Sequence, residues 1–226
     1  MPFFDSLQLA TAGPRAELFA VPVIGDCLAG RVTRTQYLGF LGEAYHHVKH
    51  TVPLLMACGS RLSTSQAWLR DAVAEYIEEE RGHEQWILDD IAHTGGDADR
   101  VRNGTPKPAT ELMVAYVYDF IARRNPVGFF GMVQVLEGTS VALATNAAGV
   151  IERTLGLPAT ATRYLRSHGE IDRSHLQFFA DLVNRLDAED QQAVVHVATM
   201  VYRLYRDVFR SLPTFDALPA DAAATT

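Results

Sequence analysis

The chain has 226 residues, 48% of them hydrophobic and 21% charged, with a formal net charge of −7. That mix excludes disordered, collagen-like and disulfide-scaffold classes, and an acidic balance with pI about 5.6 argues against nucleic acid as a bulk electrostatic partner. Cys27 and Cys58 have neither framework nor zinc-knuckle spacing, which suits a reducing cytosol, and the opening MPFFDSLQLATAG lacks the basic and apolar regions of an export signal.

The hydrophobic period is helical almost throughout. Arg34-Thr35 opens a helix whose stripe is Tyr37, Phe40, Leu41, Ala44 and Val48, with a kink expected at Pro53 and a stop at Gly59. Ser63-Thr64-Ser65 offers the cap of one long helix over 65–93, ended by Gly95-Gly96. A short piece over 97–103 leads through GTPKP to a helix over 109–124. Asn125-Pro126 restarts a helix over 126–154 that stops at Gly156-Leu157-Pro158. Two more follow, 159–186 with a candidate break at Gly169, and 188–212 capped by Asp187. The uncharged stretch over 125–151 is interrupted by Gln134, Thr139, Asn146 and one acid, so it reads as a buried core helix rather than a membrane span. No alternating strand pattern or internal repeat competes. The prediction is a single all-α domain over 1–213, a bundle of about seven to eight helices in a soluble, cytoplasmic protein. The small-residue tail over 214–226 is expected to be disordered.

Three helices carry candidate chemistry. The helix PVGFFGMVQVLEGTSVALATNAAGV holds one charged residue, Glu137, with Val133, Leu136, Val141 and Ala144 apolar around it. A carboxylate in such a setting must be protonated, paired or bound to a cation. In SHGEIDRSH, His168, Asp172 and His175 lie at about 0°, 40° and −20° around a helix, so all three share one narrow face. In EEERGH, Glu80 and Glu79 stand three and four residues before His83, and either acid can share a ligand with the imidazole.

Together these are three carboxylates and three imidazoles with no thiolate, a donor set for iron or manganese rather than structural zinc. Two Fe²⁺ can use all six side chains and leave the cluster at +1, whereas a single ion cannot take six ligands and still bind O₂. Two ions are therefore expected, the second more weakly held. A fourth cluster, Glu43 to His50, has ligand-compatible spacings in Glu43, His46 and His50. There Tyr45, His46 and His47 are not expected all to face inward, with Lys49 marking the outer side. His93 and His196 read as surface or core histidines.

An all-helical chain with an acid-plus-His helix, a lone-Glu helix and then H-x₃-D-x₂-H resembles the haem-oxygenase-like di-iron oxidases and oxygenases. These belong to the wider TenA/PqqC-like superfamily, often called iron-containing redox proteins. The resemblance runs from about Pro14 to Leu212. It implies a haem-oxygenase-like bundle with Glu80, His83, Glu137, His168, Asp172 and His175 as metal ligands. It also implies oxidation of a small organic substrate (an amine, amino acid or fatty-acid-like molecule) by O₂ through a bridged peroxo di-iron species, with an external electron donor where the reaction needs one. A homodimer without nucleic-acid or membrane partners is expected.

Several relatives place the first acid seven residues before the helix His, where this chain has Tyr76, so Glu79 and Glu43 remain alternatives to Glu80. The thiaminase branch of TenA uses a mid-fold cysteine, and no cysteine follows Cys58. The alternatives are a ferritin-like bundle with nearly the same chemistry, a TenA-like binding or salvage protein without functional metal, and a regulator acting by association.

Overall fold

The computed structural model describes residues 1–213, with the backbone alone for 170–174. The Asp172 side chain and the expected tail over 214–226 thus lie outside the described residues. Twelve α-helices and no strand are found among the described residues. Three short helices precede the first expected one: α1 (Phe3–Ala10), α2 (Ala12–Phe19) and α3 (Pro22–Leu28).

Two expected helices are each divided. The first is split into α4 (Arg34–Val48) and α5 (Thr51–Arg61) by a break at Lys49-His50, not at Pro53. Pro53 falls in the first turn of α5, where a missing N–H costs nothing. The helix also runs past Gly59 to Arg61. A reciprocal capping box starts α4: Thr33 Oγ1 accepts from Gln36 N–H at 3.2 Å, and Gln36 Oε1 accepts from Thr33 N–H at 2.9 Å. The second is split into α6 (Ala67–Glu80) and α7 (His83–His93) by an extended Arg81 and a Gly82 at φ 91°, a left-handed conformation that glycine adopts without strain.

After α8 (Ala98–Arg102) and α9 (Pro108–Arg123), Asn125 caps a short 3₁₀ turn by accepting from Val127 N–H at 2.9 Å. The chain then enters α10 (Phe129–Leu155), which ends at Gly156 with φ 63°. The remaining helices are α11 (Arg163–Val183) and α12 (Ala188–Arg210), the latter capped by Asp187, which accepts from Asp190 N–H at 2.9 Å.

Gly169 does not break α11. A Cβ there would stand 2.2 Å from Thr145 Oγ1, so glycine is present to let α11 lie close against α10. That closeness brings the helix of the two histidines against the helix of Glu137.

The centre of the bundle is α10, packed on α11 and α12. It is the one described helix long and apolar enough to cross a membrane, yet its most apolar window is 61% buried inside the fold. Its first turns, with Phe129, Phe130 and Val135, belong to an apolar core shared with α5, α6, α9 and α12. Its last turns, with Ala144, Ala148 and Ile151, belong to a second core shared with α4 and α7. Glu137, Thr139 and Ser140 lie between the two, so the polar stretch of α10 falls where the cores meet.

Candidate metal centre

The break at Gly82 sets up the first pair. Glu80 is the last residue of α6 and His83 the first of α7. The turn brings Glu80 Oε2 to 3.1 Å from His83 Nδ1, with both residues buried. The expected i,i+3 neighbours do meet, but across a helix junction rather than along one helical face. Burial pushes the Glu80 carboxyl up, but the hydrogen bond to His83 and the imidazoles of His168, His83 and His175 outweigh it. Its pKa therefore lies below the ordinary carboxylate value.

The His83 ring is held by stacking on Trp86 at 4.0 Å, and the Arg163 guanidinium covers Trp86 at 4.6 Å. His168 meets His83 edge-on at 4.8 Å and has the Tyr164 ring at 4.7 Å. The start of α11 is pinned by the buried Asp90, which accepts from Arg163 N–H at 3.1 Å and Tyr164 N–H at 2.9 Å. Burial raises the Asp90 carboxyl to about 6 despite those two bonds.

Two turns along α11, His175 faces Glu79 and Glu137. Its Nε2 is 3.1 Å from Glu79 Oε2, and its Nδ1 is 3.9 Å from Glu137 Oε1, beyond hydrogen-bond range. The Tyr76 ring closes the site edge-on to His175 at 6.0 Å.

Five of the six predicted residues therefore come together from four helices. They form two groups whose potential donor atoms lie within 4.8 Å of one another, Glu80/His83/His168 and Glu80/Glu137/His175, with Glu80 common to both. Asp172, the sixth, lies outside the described residues. Glu79 stands at the rim of the second group against His175, a part that sequence reasoning did not give it.

Glu43 takes a different place. Its carboxylate accepts from Lys107 N–H at 3.1 Å and Thr110 Oγ1–H at 2.5 Å, closing the N-terminus of α9. His46 approaches Lys49 Nζ at 3.2 Å and His50 approaches the Tyr118 hydroxyl at 3.2 Å. Tyr45, His46 and His47 are all buried, contrary to expectation, because α4 packs against α7, α8 and α9 and its remaining side borders the cavity. His93 and His196 are exposed.

A cavity of about 170 Å³ opens onto Glu80, Glu137 and His168. Its walls are mostly apolar, with Val23, Ile24, Leu28, Val133, Leu143 and Leu165 among them. Tyr76, Phe129 and Tyr164 line it, whereas Phe130 is wholly buried against Tyr76. Cys27 also lines the cavity, but burial raises its thiol to about 11, and Cys58, buried elsewhere, is raised to about 12. Neither is a thiolate at neutral pH.

This all-α bundle, with its polar centre between two apolar cores, has the haem-oxygenase-like fold. It is similar at TM-score 0.81 to a domain with a heme oxygenase-like fold from Shewanella denitrificans, 26% identical, over 93% of this chain and 91% of that one. A TenA homologue from Pseudomonas syringae is similar at 0.77 with 12% identity, over 96% and 94% of the two chains. Heme oxygenase-2 from Synechocystis, solved with heme and NO, is similar at 0.73 with 15% identity, over 93% and 84%. No curated protein matches the sequence. The sequence profile of the iron-containing redox enzymes matches residues 38–206, and the chain belongs to that family.

Proposed function

We propose that this protein is an O₂-dependent non-haem di-iron oxidase or oxygenase acting on a small, largely apolar organic molecule. The observation that carries this reading is that the two donor groups share Glu80. One acid common to two sets of carboxylate and imidazole donors suits a pair of ions better than a single one. Oxygen and nitrogen donors without sulphur fit iron, with manganese the nearest substitute.

In this reading Glu80, His83 and His168 hold one ion and Glu80, Glu137 and His175 the other, with Asp172 on α11 completing the set. When bound, reduced iron supplies O₂ activation for the oxidation of the substrate. The protein supplies the rest. Glu80 remains ionised at neutral pH, as its lowered pKa requires. Glu79 accepts the Nε2–H of His175, which leaves Nδ1 as the donor atom on the Glu137 side. Tyr76 and Tyr164 wall the imidazoles, and the apolar cavity binds the substrate body and excludes water.

The test is anaerobic loading with Fe²⁺, metal analysis, and exposure to O₂ under optical monitoring with candidate amines, amino acids and fatty acids. The expected result is two irons per chain and a substrate-dependent optical transient, both diminished in Glu137→Ala. Sub-stoichiometric iron that is insensitive to that change would sink the proposal. It would leave a TenA-like binding role, which the neighbours of that fold favour, though without a thiolate to act as nucleophile.

A further inference from the structure

His47 stands apart from the donor groups but lines the same cavity. It is 2% exposed, on α4. Its Nδ1 is 2.9 Å from the main-chain carbonyl of Glu43. A carbonyl can only accept, so Nδ1 carries the hydrogen and the neutral ring is fixed in one tautomer. Nε2 is then a bare acceptor, with no hydrogen-bond partner among the described residues. Burial, reinforced by the nearby His168, His50 and His46, drives the pKa down to about 4, so the ring is neutral at pH 7.

The Tyr205 ring stands edge-on to His47 at 5.6 Å and lines the same cavity. Its hydroxyl likewise has no partner among the described residues, and burial keeps it protonated. Both residues line the cavity, so a ligand entering it meets an acceptor and a hydroxyl whose hydrogen-bonding capacity the described residues leave unused.

We propose that His47 Nε2, with the Tyr205 ring beside it, anchors the substrate by accepting a hydrogen bond from an uncharged donor, a hydroxyl or amide N–H. The inference rests on reading this cavity as the substrate pocket and narrows what enters it. A carboxylate would meet acceptor with acceptor at Nε2. An ammonium ion at His47 would lack a free carboxylate, because Glu43 is taken up by Lys107 N–H and Thr110, and Glu80 and Glu137 on the same cavity are assigned to the metal ions. The fitting molecule has an apolar body for the cavity and one neutral donor for His47.

Calorimetry at pH 7.5 on the full chain, once chelated and once loaded with Fe²⁺ without oxygen, tests this. The probes are octan-1-ol, octanamide, octanoate and 1-methoxyheptane, the last matching the alcohol in size but lacking a donor. The alcohol and amide are expected to bind about tenfold more tightly than the ether and the carboxylate. His47→Phe should erase that preference, and His47→Gln, which keeps an acceptor, should retain it. Equal affinity for all four probes, absence of binding, or a preference that survives in His47→Phe overturns the proposal. Should His47→Phe fail to fold by circular dichroism, the probe series on the unaltered protein decides. A preference in chelated protein upholds the anchor whatever the iron analysis says of the metal centre. Its absence in protein holding two irons refutes the anchor alone.

Discussion

Glu43 and Glu80 are both carboxylates buried to 7% exposure, and in the sequence both stand three residues before a histidine. Their surroundings part them. Glu43 receives a main-chain N–H and a hydroxyl at the start of α9, partners that bond the carboxylate directly and leave no role for an ion. Glu80 meets imidazoles: His83 at 3.1 Å, with His168 and His175 close enough to lower its pKa. Imidazole nitrogens can ligate, and main-chain N–H groups cannot. The difference teaches that burial marks an acid as costly, while the chemistry of its neighbours says whether the cost is met by architecture or by a cation.

The sharpest way to break this contrast is to remove Glu80. Glu80→Ala should lose both irons on anaerobic loading, measured by metal analysis, whereas Glu137→Ala and His83→Ala should each retain about one. Retention of two irons by Glu80→Ala would show that the acid shared by both groups is not a shared ligand. A smaller effect is expected one shell out. Glu79→Gln leaves the donors in place but weakens the orientation of His175, so Fe²⁺ affinity should fall by about 10- to 100-fold in a competitive chelator titration.

On the Glu43 side the expected effects are on stability. The folded His47 resists protonation down to about 4, while the unfolded chain takes up that proton below about 6.5. The His47 contribution to stability therefore falls as pH drops through this window, by about 1.5 kcal/mol between pH 6.5 and pH 5. Urea midpoints at the two pH values should show this loss in the native chain, and a correspondingly smaller loss in His47→Phe. Smallest of all, Thr110→Val removes one of the partners of Glu43 and should cost about 1–2 kcal/mol in urea unfolding while iron content stays unchanged. A fall in iron with Thr110→Val would erase the distinction between the two acids.

Sequence patterning carries the all-α class, and with it the ends of α10 at Asn125 and Gly156 and the cap of α12 at Asp187. Such signals are local, since glycine, proline and capping residues act on their own backbone. The three N-terminal helices were not legible, because elements of seven or eight residues hold too few turns to show a period. Gly82 was visible as a residue but not as a junction, since the charged run on either side is helix-forming. Gly169 was misread for the opposite reason: its glycine answers to Thr145 on another helix, which no local pattern reveals. The gathering of Glu80, His83, Glu137, His168 and His175 was expected from helix faces. The parts of Glu79 and His47 were not, since each depends on a contact set by tertiary packing or on a buried tautomer.

The junction at Gly82 has an electrical consequence. The carbonyl end of α6 carries the negative pole of its peptide dipoles, and its last turn holds Glu78, Glu79 and Glu80 with no basic residue. This is the unfavourable sign for that end of a helix, and among the described residues Arg81 just beyond it pairs only with Glu78 at 3.0 Å, so Glu79 and Glu80 weaken the final turn they occupy. The two divalent ions proposed to share Glu80 would outweigh those three charges. Amide hydrogen exchange in the last turn of α6 should then slow on metal loading, making that turn a local gauge of occupancy.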